Sequence, residues 1–305
     1  MARRKSKKIQ PAVLTLQFEA TSMAPGTGDD SFYDLSQIAS VINRRFYRQG
    51  LNWCVAGFKL LSVSSGSTPS VPQGIISINK LPDTWVMSNA WEKGFRNWQR
   101  MNNEALSESS TVKPKFLDFK IYMDERHHDA GFGANKLPEG YIRGMWDSSK
   151  YTIPTTQSGF TPSLVEADDF EIIAVGGNFP GASTATGFNA VSLIEGYANS
   201  RALPYETDPN VPADSADTNT VTPENWIGAI QNEGTDQSHE VIENMITENT
   251  HAPYPFENDG TNTDTMYPGG ETNAPSLQLH DIDNVTGTTI GGITRLKGGT
   301  FPCGL

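Results

Sequence analysis

The sequence predicts an all-β protein: a single eight-stranded antiparallel jelly-roll sandwich with inserted helices and long loops. Three observations carry this prediction. Eight segments have the alternation or composition of strands, at about 13–20, 52–64, 74–80, 115–123, 141–153, 169–176, 276–282 and 286–297. They are separated by loops and by one pronounced helix pattern between the third and the fourth. Gly and Pro, 28 and 19 of 305 residues, supply the turns that so many short strands need. Eight antiparallel strands in two stacked sheets make a jelly roll, and a sandwich of this length can form one domain whose core needs no disulfide or metal.

The elements follow in order. Residues 1–11 form a basic arm ending at Pro11, and residues 12–305 are the body. From Val13 the period is two, with Leu14, Leu16, Phe18 and Ala20 on one side and Thr15, Gln17 and Glu19 on the other, as in a half-buried strand. Ser31 stands as an N-cap with Asp34 three residues later. Phe32, Leu35, Ile38, Val41 and Ile42 then recur at helical spacing, so a helix runs to about Arg48 and stops at Gly50. In the next strand Cys54, Ala56, Phe58 and Leu60 alternate, and the apolar run Trp53, Val55 and Ala56 around Cys54 reads it as a buried small apolar residue.

Asp83 caps the strongest helix. There Met87, Trp91, Phe95, Trp98, Met101 and Ala105 fall three or four apart, opposite Glu92, Lys93, Arg96, Arg100 and Glu104. The aromatic stripe reads as core packing across a sheet. Leu117, Phe119, Ile121 and Met123 alternate in the following strand. An acidic, mostly non-β insertion covers about 178–274, with helix patterns at 188–200, 223–232 and 236–248, and belongs on the surface. Gly291-Gly292 marks a bulge or a close backbone approach in the last strand.

Net charge is −12, which argues against a general nucleic-acid binder. The charge is polarised, however. Residues 1–165 carry 20 basic and 14 acidic side chains, and residues 166–305 carry 3 basic and 21 acidic ones. A basic tip on an acidic body implies two environments, with the acidic half facing away from phosphate. Two cysteines, Cys54 and Cys303, make no disulfide framework and suit a reducing setting. No stretch approaches 18 apolar residues, so no membrane span is expected. No continuous apolar segment follows the basic N-terminus, so no signal peptide is expected, and the protein is expected to be made and used inside a cell.

The candidate nucleic-acid-binding residues are Arg3, Arg4, Lys5, Lys7 and Lys8 in the arm and Arg44, Arg45 and Arg48 at the end of the first helix. The arm has the charge to neutralise phosphates with release of counterions. Five arm charges can neutralise only a few phosphates of a long strand, so other cations must help. Arg44, Arg45 and Arg48, interleaved with Phe46 and Tyr47, combine charge with rings that stack on bases; equally, cations at a helix end answer the macrodipole. Adjacent His127 and His128 on a loop do not make four converging metal ligands. The acidic run 257–264 lacks the twelve-residue calcium-loop pattern. There is no Gly-x-Ser-x-Gly, no phosphate loop and no recognisable Cys/His pair, so the sequence points to no catalytic residue, metal or cofactor, although 35 acidic residues leave a glycosidase-type carboxylate pair open.

Several segments carry a resemblance. Asp34-Leu35-Ser36-Gln37 leads into Asn43-Arg44-Arg45-Phe46-Tyr47-Arg48-Gln49-Gly50. Leu81-Pro82-Asp83-Thr84-Trp85-Val86 leads into Asn89-Ala90-Trp91. Pro253-Tyr254-Pro255-Phe256-Glu257-Asn258-Asp259-Gly260 precedes Met266-Tyr267-Pro268-Gly269-Gly270, and Lys297-Gly298-Gly299-Thr300-Phe301-Pro302-Cys303-Gly304-Leu305 closes the chain. Together these resemble capsid proteins of small circular Rep-encoding single-stranded DNA viruses, with 178–250 contributing least. The resemblance implies a single jelly roll that self-assembles into an icosahedral shell of 60 copies or a multiple of 60. It also implies a virion assembled inside the host cell, a basic N-terminus facing single-stranded DNA, a host receptor and no membrane. The arm is shorter and less rich in Arg than is usual for such capsids. The alternatives are a jelly-roll carbohydrate-binding or fibre module, since six Trp and nine Tyr suit sugar stacking, and a jelly-roll enzyme.

Overall fold

Strands form at the expected 52–64 and 74–80, while those expected at 141–153, 169–176, 276–282 and 286–297 form instead at 150–156, 165–173, 278–286 and 292–301. The computed structural model describes residues 12–19, 24, 26–63, 73–107, 111, 118–156, 165–200, 226–231, 276–286 and 292–305. Among these, β1 spans Trp53–Ser62, β2 Gln73–Lys80, β3 Lys150–Thr156, β4 Val165–Ile173, β5 Ala190–Ser192, β6 Gln278–Thr286 and β7 Gly292–Phe301. The helices are α1 (Leu35–Asn43), α2 (Trp85–Ser107), α3 (Glu125–Ala130), α4 (Leu193–Asn199) and α5 (Trp226–Gln231).

The strand pairing nests. β1 pairs antiparallel with β7, from Trp53↔Phe301 to Ser62↔Gly292. Inside it in sequence, β2 pairs antiparallel with β6, from Gln73↔Thr286 to Lys80↔Gln278, with an irregularity at Ile78/Asn79. Innermost, β3 pairs antiparallel with β4. β5 then joins β4 in parallel through Glu171↔Ala190, Ile172↔Val191 and Ile173↔Ser192. The described chain is therefore mostly β, with seven strands in antiparallel and mixed sheets, and it is not all-β: the longest single element is the 23-residue helix α2.

Five expectations are corrected. The 13–20 segment contributes one bridge, Phe18↔Pro138, and no strand. In 115–123 the described part makes one parallel bridge, Tyr122↔Ile173. The N-cap of α1 is Asp34, not Ser31, and at α2 it is Thr84, not Asp83, whose Oγ1 accepts the Met87 N–H at 3.3 Å. Cys54 is exposed, while Cys303 is buried.

The core lies between α2 and the β3–β4–β5 sheet. Phe119 is its centre, with Trp91, Phe95, Trp98 and Tyr151 rings 5.5–6.4 Å away. Leu81, Ile121, Ile153, Ile172, Val191, Leu193 and Trp226 are fully buried around it. Each such side chain contributes about 1.5–3 kcal/mol of transfer free energy. β5, α4 and α5 all fall within 178–274, so part of that stretch is core and not surface decoration. The close approach of α5 to α4 requires Gly196: a Cβ there would lie 2.2 Å from the Trp226 ring nitrogen. The 236–248 helix pattern and Gly291 lie outside the described residues.

Candidate nucleic-acid interface

The arginine loop is built from α1 outward. Asp34, wholly buried, caps the helix by accepting the Ser36 and Gln37 N–H groups at 2.9 and 3.1 Å. Its other oxygen accepts Gln49 Nε2 at 2.8 Å and the Trp146 indole Nε1 at 2.9 Å. Burial raises the Asp34 pKa, and these four hydrogen bonds oppose that rise. Gln49 in turn accepts the Ile121 N–H at 2.7 Å and donates to the Ile121 carbonyl at 3.3 Å. One buried carboxylate thus ties together the start of α1, the end of the loop and residue 146.

At the other end, α1 stops because Arg44 turns left-handed (φ 50, ψ 41) and its N–H returns to the Ser40 carbonyl. Arg45 N–H shares that carbonyl at 3.2 Å. Ser40 Oγ accepts the Tyr47 N–H at 2.9 Å and donates to the Tyr47 carbonyl at 3.2 Å. The chain then passes directly over an indole at Gly50 (φ 91), where a Cβ would lie 2.2 Å from Trp91. A short loop fixed at both ends is left with Arg44, Arg45, Phe46 and Arg48 exposed. No ion pair among the described residues engages the three arginines.

Arg48 reaches α2, its guanidinium carbon 5.8 Å from the Phe95 ring centroid. Phe95 is the middle of a ladder of near-parallel rings on successive helical turns. Trp91 and Phe95 are 5.0 Å apart at 20°, and Phe95 and Trp98 are 6.3 Å apart at 17°. All three rings are half-buried, so the stripe is both core wall and surface. About 100° further round the helix a shallow groove is lined by Arg96, Gln99, Arg100, Asn103 and Ser107. Arg96 also holds Glu92 at 2.8 Å, one turn earlier. The arrangement can place cations beside partly open π faces, the combination that binds single strands without sequence preference.

Of the eight sequence candidates, Arg44, Arg45 and Arg48 share this loop, and Arg48 joins α2. Arg3, Arg4, Lys5, Lys7 and Lys8 lie outside the described residues. The sequence reading did not include Arg96 and Arg100 as candidates, although their four-residue spacing, continued by Asn103, marks one helix face.

The histidines do other work. His127 is wholly buried; its Nδ1 accepts the Met123 N–H at 3.1 Å, so Nε2 donates to Asn135 Oδ1 at 2.7 Å. Burial pushes its pKa down to about 4, and the ring is neutral near pH 7. His128 Nε2 lies 3.0 Å from Glu171 Oε2, both side chains buried. Burial opposes ionisation of Glu171, but hydrogen bonds from His128, Ser148 and Thr186 outweigh it and hold its pKa below the usual value. No group of three metal-capable side chains occurs among the described residues, and no helix there is long and apolar enough to cross a membrane.

No protein-family model, no curated protein and no solved structure matches the chain.

Proposed function

We propose that the chain is a viral coat subunit: a jelly roll whose copies close into an icosahedral shell around single-stranded DNA. The observation that carries the reading is the outer face of the β2–β6 ribbon. Ile75, Leu279 and Ile282 stand 72%, 53% and 53% exposed there, among the uncharged Ser77, Asn79 and Asn284. A two-stranded ribbon is marginal in water without a cover, and an uncharged strand-pair face with three exposed aliphatic side chains invites further association. The cover is a symmetry-related copy.

Two features support the finer parts. First-with-last and second-with-second-last pairing is what rolling one long ribbon into two sheets produces, which favours the jelly roll. The loop cations Arg44, Arg45 and Arg48, beside the α2 rings, suit the inner surface, with the arm residues Arg3–Lys8 reaching the same strand. DNA rather than RNA rests on the motif resemblance alone.

Negative-stain microscopy and sedimentation of the purified full chain test the proposal. Uniform hollow particles are expected from wild type, and dispersed chains with an unchanged circular dichroism spectrum from Ile75→Asp/Ile282→Asp. Wild type that remains monomeric under all conditions refutes the reading.

A further inference from the structure

The β1–β7 ribbon has two unlike faces. Directly opposed residues share a face, so Phe58 and Leu296, and Leu60 and Thr294, point inward, where Leu296 and Thr294 are buried. The outward face carries Gly57 opposite Lys297, Lys59 opposite Arg295, and Leu61 opposite Ile293. All six are exposed, Leu61 and Ile293 to 65% and 51%.

This face is built against local electrostatics. Like charges directly opposite each other on neighbouring strands are unfavourable, yet Lys59 and Arg295 are cross-strand partners and Lys297 lies two residues along. Asp281 accepts the Lys297 backbone N–H at 2.8 Å, but no ion pair among the described residues engages the three cationic side chains. Residues 166–305 contain only three Lys or Arg residues, and two of them, Arg295 and Lys297, stand here. The acidic half of the chain thus places most of its positive charge on one face, beside a third cation from the other half.

We infer that this outward face, with its cations Lys59, Arg295 and Lys297 beside the aliphatic Leu61 and Ile293, docks an acidic surface of a second copy of this chain. The inference rests on the coat-subunit reading and names a contact within it. The occupant must be anionic to relieve the Lys59–Arg295 opposition. It must also be protein, because the exposed apolar residues are aliphatic and the face has no ring on which a base would stack. Charge complementarity selects a copy of the same chain. Each copy carries −12 overall, and residues 202–275 hold 14 acidic side chains with no Lys or Arg. Copies of so acidic a chain repel unless a cationic face of one meets an acidic face of the next. Such a contact is heterologous, the kind that closes into rings about symmetry axes.

The test uses the full chain, with Lys59→Gln/Arg295→Gln and Lys59→Glu/Arg295→Glu variants. Sedimentation velocity from about 50 mM to about 0.5 M NaCl reads assembly, thermal unfolding reads the fold, and anisotropy of a labelled oligothymidylate reads nucleic-acid binding. The expected result is wild-type assembly that weakens as salt rises. The neutral variant should unfold at a higher temperature in its dissociated state, because the like-charge pair is gone, yet assemble less. The reversed variant should lower the assembled fraction about tenfold or more at low salt. Its oligothymidylate binding should be unchanged. If wild type assembles and both variants assemble equally well, this inference fails and the coat-subunit reading stands. If the variants lose oligothymidylate binding while assembly is unaffected, the face is a nucleic-acid site and the inference fails. Wild type that never associates overturns both.

Discussion

Asp34 and Trp146, 112 residues apart, meet in a buried hydrogen bond of 2.9 Å from the indole Nε1 to the carboxylate. The same carboxylate caps α1 and holds Gln49, so one side chain fixes the helix that starts the arginine loop and the residue that ends it. Replacing Asp34 with Ala removes a cap, costing about 1 kcal/mol, and strands the buried donors of Gln49 and Trp146 at about 1–3 kcal/mol each. The expected destabilisation is about 3 kcal/mol or more. Asp34→Asn keeps a capping oxygen but turns an NH2 toward the Gln49 and Trp146 donors, so it too is destabilised, by about 1–3 kcal/mol for each donor left unmatched. Urea denaturation followed by tryptophan fluorescence gives both values; a loss below about 1 kcal/mol for Asp34→Ala would deny that this carboxylate holds the loop.

His127 predicts an acid-labile core. Its pKa is about 4 in the folded chain and near 6.5 when exposed. The unfolded chain therefore binds the proton first, and stability falls as pH drops from about 6.5 towards 4. The full loss from this group is on the order of 3 kcal/mol. Glu171, held below its ordinary value, adds a loss in the same direction as pH falls through and below the usual carboxylate range. His127→Gln should lower stability at pH 7 and flatten the slope between pH 6.5 and 4. Unfolding free energies measured across that window check the sign; a slope unchanged by the substitution would contradict it.

For nucleic acid, charge and stacking separate experimentally. Each phosphate contact on a single strand contributes about 0.7 to the slope of log affinity against log salt. Arg44→Gln, Arg45→Gln and Arg48→Gln together should reduce that slope by about 2. Phe95→Leu should leave the slope alone and lower affinity uniformly, by about 1–3 kcal/mol if Phe95 stacks on a base. Anisotropy titrations at several salt concentrations distinguish the two effects. Deleting residues 1–10 should reduce the nucleic acid recovered in particles, and packaging that is unchanged would remove the arm from the mechanism.

β1, β2 and the starts of the two leading helices are legible in the sequence because their periodicity survives folding, whereas β6 and β7 overlap the expected 276–282 and 286–297 only in part. Three places show where periodicity stops informing. At Cys54 the apolar neighbours suggest burial, but the alternation slips at Ala56–Gly57, so Phe58 and Leu60 face inward while Cys54 faces out. In 119–123 the alternation is real, yet Lys120 and Tyr122 are buried as well, Lys120 4.5 Å from the Trp146 ring. A segment buried on both sides has no polar face to read. Leu14 has a faultless alternating context and is 90% exposed, since a strand needs a partner that local sequence cannot supply. The arginine loop was legible as composition, but its anchoring to Ile121 and Trp146 depends on contacts 72 residues from Gln49 and 112 residues from Asp34 and was not. The addition of α2 to that site follows from Gly50 crossing Trp91 and was equally invisible.

The last prediction concerns α5, a six-residue helix inside the stretch expected on the surface. Trp226 is fully buried, 4.5 Å from the Tyr151 ring, and its Nε1 donates to the Ser192 carbonyl at 3.3 Å. It reaches that place only because Gly196 has no side chain. A methyl group there must displace the indole, since both neighbours are packed core. Gly196→Ala would gain a few tenths of a kcal/mol to about 1 kcal/mol in helix propensity if α4 were solvent-facing. Against the Trp226 ring it should instead lose about 1–3 kcal/mol by overpacking. Trp226→Ala should lose about 3–5 kcal/mol. Combined with Trp226→Ala, Gly196→Ala should cost far less than it does alone, because the obstructing ring is gone. A double-mutant cycle by urea denaturation measures that coupling, and strict additivity would place α5 away from α4.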